Sequence, residues 1–145
     1  MTSNASRAAT LARALEAGVR ADRATLVDVY TDDVVAWTPT FFADSRESLL
    51  AAVEVRDDAF SDIQVDIRPL DVGGDYACAE WTVTMTHSGP LALREGATVE
   101  PTGLQVTLHG VTIAEFRGPR ICAVRQYWDE LTVFEQLGLL SDESR

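Results

Sequence analysis

The spacing of apolar residues changes period once along the chain, and the change divides it into two halves. Over the first sixty positions the period is helical. Ala8, Leu11, Ala12, Leu15 and Val19 fall three and four apart and form one apolar stripe. Gly18 weakens the end of that helix. Asp22 is placed to cap a second helix, in which Leu26, Val29 and Tyr30 share a face. A short extended piece, VVAWTP, ends at Pro39. The run DSRE at 44–47 has the capping-box pattern, with Asp44 as cap and Glu47 three residues on; Leu49, Leu50, Val53 and Phe60 then line a third helix. After Ser61 the period drops to two. IQVDIRPLDV alternates, Gly73-Gly74 makes a turn, and YACAEWTVTMTH is a long strand of β-branched and aromatic residues. LQVTLHGVTIAEF is a further strand with a bend or bulge expected at Gly110, and RGPR turns it into the last strand, ICAVRQYW. Residues 88–103 read as a loop, and Asp129 opens a final helix that ends near Gly138.

Helices first and hairpin-linked strands afterwards specify an α+β fold. The expected architecture is a cone: a curved antiparallel sheet with the N-terminal helices packed over a central pocket. The 145 residues fit one domain, with no repeat, low-complexity tract or long linker to divide them.

Charge narrows the partners. The formal net charge is -11, which repels phosphate backbones and anionic lipid, so no nucleic acid and no membrane are expected. Arg7, Arg13, Glu16 and Arg20 interrupt the N-terminal stretch, which reads as the start of a cytoplasmic protein rather than a signal peptide. Cys78 and Cys122 lie in apolar strands and are expected as buried free thiols. Two cysteines and two scattered histidines give no metal-ligand spacing, so no metal is expected. A Gly-rich phosphate loop and a G-x-S-x-G elbow are both missing.

The motifs EWTVTMTHSGP, PTGLQV and HGVTIAEFRGPRICAVRQYWDELTVFEQLGLL together resemble the SnoaL-like polyketide cyclases, within the nuclear-transport-factor-2-like cone fold. The matching residues are Trp81, Thr82, Thr86, His87, Gly89, Pro101, Thr102, Gly103, Trp128, Asp129, Gln136, Leu137 and Gly138. The resemblance implies a cavity between sheet and helices, a homodimer through the outer sheet face, and cofactor-free aldol closure of a polyketide ester. It also implies that Asp129 is the acid/base. The spacer PLALREGATVE is longer and more charged than the family's and is expected to rim the pocket mouth. YTDDVVAWTP in turn resembles the ketosteroid isomerase segment that supplies a general base before proline, but Thr38 stands at that position here.

Read from the residues alone, Asp129 has two roles open to it. Alternation along the last strand puts Ile121, Ala123, Arg125, Tyr127 and Asp129 on one side; if Tyr127 faces the cavity, so does Asp129. A carboxyl buried among aromatics has a raised pKa and can move a proton between carbon and oxygen. Asp is equally a preferred helix cap. His109 is the candidate partner of Asp129, since the two strands run side by side, and His87 is a candidate oxygen donor; each also fits a hydrogen-bonded structural histidine. Tyr30, Trp37, Trp81, Met85 and Tyr127 are the candidate pocket wall for a small hydrophobic or aromatic metabolite, and could equally be core. The alternatives to cyclisation are dehydration, isomerisation or epoxide hydrolysis on the same cone, or binding without chemistry.

Overall fold

A computed structural model of the chain describes residues 4–54, 58–70, 72–93 and 96–140. Helix α1 (Asn4–Arg20) leads into α2 (Arg23–Val29), β1 (Tyr30–Trp37), the short β2 (Phe42–Ala43) and α3 (Arg46–Glu54). Four long strands follow: β3 (Phe60–Leu70), β4 (Tyr76–His87), β7 (Gln105–Arg117) and β8 (Arg120–Trp128). A two-residue hairpin, β5 (Leu91–Ala92) and β6 (Thr98–Val99), interrupts the segment read as loop, whose residues 94–95 lie outside the described residues. Helix α4 (Glu130–Gln136) closes the described chain.

The six-stranded sheet has the order β2-β1-β8-β7-β4-β3. Its pairs are antiparallel except β1 with β8, which run parallel because the first strand returns to lie beside the last. So the expected α+β cone holds, with one parallel pair in its sheet. No helix of the described residues is long and apolar enough to cross a membrane.

Caps set the helix boundaries. Asp22 caps α2 as expected, accepting from the Thr25 N–H at 3.3 Å and the Thr25 hydroxyl at 2.7 Å. The capping box of α3 sits one residue later than expected. Ser45 Oγ accepts from Ser48 N–H at 3.1 Å and Ser48 Oγ accepts from Ser45 N–H at 3.2 Å, a reciprocal pair that leaves Asp44 and Glu47 out. Phe60, expected on α3, begins β3 instead; residues 55–57 between them lie outside the described residues. After α4, Gly138 takes φ 73°, and the N–H groups of Gly138 and Leu139 return to Glu135 and Phe134 carbonyls, the left-handed stop that glycine favours.

Two apolar clusters result. The larger joins Leu11, Leu15, Leu26, Val29 and Leu49 of the helices to Val34, Trp81, Phe116, Ile121 and Val124 of the sheet. The smaller joins Leu91, Val106, Val133 and Leu137 under α4 and the β5–β6 hairpin. Cys78 and Cys122 are free and half-buried.

Candidate functional site

The hollow expected inside the cone is present. It holds about 260 Å³ between α1, α2, α3 and the concave face of the sheet. The helices contribute Ala14, Leu15, Val19, Leu26, Leu49 and Val53; the strands contribute Tyr30, Ala36, Val65, Trp81, Val83, Val124 and Gln126. Thr38 and Phe41, in the turn between β1 and β2, complete the wall with Gly18. Among the described lining residues the only ionisable side chain is Tyr30. Its ring is 6 % exposed, and burial pushes the phenol up to about 12, so it keeps its proton through the neutral range.

The polar lining groups differ in what they can offer. Thr38 Oγ1 accepts from Thr40 N–H at 3.1 Å and Phe41 N–H at 3.0 Å, and lies 3.3 Å from the Phe41 carbonyl, to which it donates. That turn swings Phe41 into the wall. Trp81 donates its indole N–H to Thr112 Oγ1 at 2.9 Å, both side chains being buried. Neither the Tyr30 hydroxyl nor the Gln126 amide is hydrogen-bonded to another described residue, and both residues line the hollow.

Of the residues expected at the site, Tyr30 and Trp81 line the hollow. Met85 and His87 follow Trp81 and Val83 on the same strand face but belong to the far end of the sheet. Met85 packs on the smaller cluster. His87 is fully buried, and its Nδ1 accepts from Thr102 N–H at 3.1 Å with Thr102 Oγ1 at 3.0 Å. Its backbone pairs with Gly103 and Leu104, so the T-H-x-G and P-T-G motifs are two halves of one clamp that fastens the 88–103 segment to β4. Gly89 fits this clamp because a Cβ there would run into the Asp58 carbonyl. The described residues of 88–103 do not line the hollow; Leu91, Leu93 and Val99 pack in the smaller cluster with α4, so the expectation of a rim at the mouth is corrected.

Trp37, Tyr127, His109 and Asp129 lie on the other side of the sheet. Trp37 and Tyr127 are 42 % and 45 % exposed and stack on the convex face with ring centroids 5.2 Å apart. His109 is exposed there too, its Nδ1 3.1 Å from Thr82 Oγ1, in an open polar groove with Asp66, Arg68 and Glu80. Asp129 is exposed and caps α4, accepting from Leu131 N–H at 3.0 Å. The pair Gly110–Trp128 ends the β7–β8 ladder, so the register brings His109 alongside Asp129, but on the solvent side. The expected placement of Asp129 and Tyr127 in the cavity is therefore corrected.

The physical reason is a bulge. Phe116 pairs with Ile121 and Glu115 with Ala123, so Cys122 is an extra residue in β8. Ile121 is fully buried and Val124, three residues on, is 4 % exposed; both point inward. The bulge reverses the phase of everything after it, turning Val124, Gln126 and Trp128 in and Arg125, Tyr127 and Asp129 out. Gln126 is thus the site residue that alternation along β8 misses, and Thr38 joins the wall from the turn after β1. The signal was available: two charged residues, Arg125 and Asp129, share a face with Tyr127, whereas the opposite face carries none.

The SnoaL-like polyketide cyclase family model matches residues 9–137, nearly the whole described chain. The chain belongs to that family. No curated protein matches it. Solved structures share this fold widely. AclR from Streptomyces galilaeus, a candidate hydroxylase, is 24% identical, covers 96% of this chain and 100% of its own, and superposes with a TM-score of 0.75. IdmH from Streptomyces antibioticus, a candidate polyketide cyclase, is 23% identical over 91% of this chain and 98% of its own, with a TM-score of 0.76. An LEH-like epoxide hydrolase from M. tuberculosis is 17% identical over 92% of this chain and 90% of its own, with a TM-score of 0.68. At these identities the likeness is one of fold. For this SnoaL-like chain, chemistry has to be argued from the hollow it builds.

Proposed function

We propose that the hollow receives a small hydrophobic or aromatic metabolite and promotes an aldol-type ring closure within it, without a cofactor. The observation that carries this reading is the wall itself: mainly apolar and without charge, with a buried phenol, Tyr30, that stays protonated at neutral pH. A flexible dicarbonyl chain folded into about 260 Å³ has its enol carbon held against the accepting carbonyl. As the new carbon–carbon bond forms, the accepting oxygen gains the electron pair, and the enol oxygen's proton ends on it. Tyr30 is the donor available to that oxygen as charge develops. Asp129 has no part in this reading, because its carboxylate is engaged by the Leu131 N–H at the surface.

Filling the hollow tests the proposal. Ala36 is 1 % exposed and lines the hollow from β1, so Ala36→Phe is expected to block it. Turnover of aryl-substituted polycarbonyl compounds should fall at least about a hundredfold, a loss of roughly 2.7 kcal/mol in transition-state stabilisation. Asp129→Asn keeps a competent cap and should stay within about twofold of the parent. Lost activity in Asp129→Asn beside full activity in Ala36→Phe would overturn the reading. Product mass separates the reactions: closure leaves it unchanged, dehydration removes water and epoxide opening adds it.

The same reading includes a homodimer through the convex face. Val35, Trp37 and Tyr127 are more than two-fifths exposed there, and both signs of charge accompany them, Arg68 and Arg125 with Asp66 and Glu80. A two-fold contact sets such a face against itself, so opposite charges on one face can pair across the axis. Sedimentation equilibrium should give a dimer for the parent and a monomer for Trp37→Glu; a monomeric parent at micromolar concentration sinks the idea.

A further inference from the structure

We infer that Gln126 selects the ligand of the hollow, and that this ligand is a neutral molecule presenting a carbonyl or hydroxyl group to the Gln126 amide. The inference rests on the reading that the hollow is a ligand site.

The charge argument comes first. No described lining residue is charged, and the one ionisable group is a phenol that remains neutral. A carboxylate or ammonium entering such a space gives up its hydration and meets no counter-charge. The hollow therefore discriminates against ions whatever their shape.

The polar argument follows by elimination. Trp81 N–H is committed to Thr112, and Thr38 Oγ1 already serves two N–H donors and one carbonyl. Tyr30 and Gln126 remain. A phenol that keeps its proton serves mainly as a donor. A primary amide offers two donors and an acceptor, so it can meet a carbonyl, a hydroxyl or both. Its placement is firm: Gln126 sits on β8, paired on one side with Thr112 of β7, in a strand whose other side pairs with β1. A site carried on a central strand holds its geometry better than one on a loop.

Gln126 is half-buried, so its amide gives up hydration when a ligand fills the hollow, a cost that a bond to that ligand offsets. Val124 and Trp128 share its strand face. Met, of similar length and without the amide's strong donors and acceptor, would fill the same place without that cost. What Gln126 adds is a preference among ligands.

Three probes with one ring system test this: naphthalene, 2-acetylnaphthalene and 2-naphthoate, titrated against the full chain with tryptophan fluorescence, since Trp81 lines the hollow. The parent should bind the ketone about tenfold more tightly than naphthalene, and the carboxylate at least about tenfold more weakly than the ketone. In Gln126→Met the ketone-to-naphthalene ratio should fall at least about threefold, and to about one when Tyr30→Phe is added. Gln126→Leu supplies the same comparison should the methionine variant be poorly folded by circular dichroism. A ratio unchanged from the parent in the folded single variant overturns the role of Gln126, and a carboxylate that binds as well as the ketone overturns the neutral class. If the parent binds none of the three, the reading of the hollow as a ligand site fails, and the inference fails with it.

Discussion

Gly110→Ala is expected to lower the stability of the protein by about 3 kcal/mol, read as a fall of roughly 10 °C in Tm. Alanine in place of glycine normally favours a strand, by about 0.5–1 kcal/mol. Here it cannot, because a Cβ at position 110 would overlap Cζ2, Cη2 and Cε2 of the Trp81 indole. Trp81 and Trp128 are the cross-strand partners of Gly110 on either side, and their rings meet edge to face at 6.0 Å. The indole of Trp81 thus occupies the space that a side chain at 110 would need. Displacing it breaks the buried Trp81–Thr112 hydrogen bond and alters the wall of the hollow. A double-mutant cycle separates this overlap from any general effect. In a Trp81→Leu background the same glycine substitution should cost less than about 1 kcal/mol, whereas an unchanged cost would mean that the ring is not what the alanine meets.

A second large effect lies on the alkaline side. The Tyr30 phenol is held up to about 12 by burial, against 10.0 for the free group. The native state therefore holds this proton more tightly than the unfolded state does. Its contribution is fully present below pH 10 and is lost as pH rises through 12, amounting to about 2–3 kcal/mol across that window. Tyr30→Phe cannot ionise there. Denaturant melts of the two proteins should differ by a nearly constant amount up to pH 9.5 and then converge, or cross, as the parent alone destabilises. Parallel pH profiles to pH 12 would show that Tyr30 ionises in the native state as readily as in the unfolded chain.

The sequence carried the elements well where one force set them. β4 was legible to the residue, since a run of β-branched and aromatic residues ending in a turn has few other solutions. Asp22 was legible as a cap because its partners lie within three residues. The α3 cap was harder: Asp44-Glu47 and Ser45-Ser48 are overlapping candidates, and the choice depends on where the chain enters the helix. The site was half legible. Tyr30 and Trp81 were found, but the phase of β8 was read straight through Cys122. One extra residue in a ladder leaves no mark in the alternation of a strand as mixed as ICAVRQYW, yet it moves a carboxylate from the inside to the outside. Gly110 in a strand suggests a bend or bulge, but the cause is a close approach. The ladder passes through it without a shift, and what requires glycine is a tryptophan on the adjacent strand. His87 and the P-T-G motif were recognised as a set, but their clamp joins residues fifteen apart and became visible only with the register.

The parallel pairing of β1 with β8 bears on how the chain is made. Ala36 lies beside Val124, so the strand carrying part of the hollow's wall waits for a partner 88 positions further along the chain. Until then its only neighbour in the sheet is the two-residue β2. Contacts so distant in sequence form slowly; α1 can already pack on β3 and β4, but β1 and the helices against it, α2 and α3, lack their β8 support in the meantime. A nascent chain stopped before residue 120 should be open to proteases at β1, α2 and α3, and the binding chamber closes only once β8 has paired with β1.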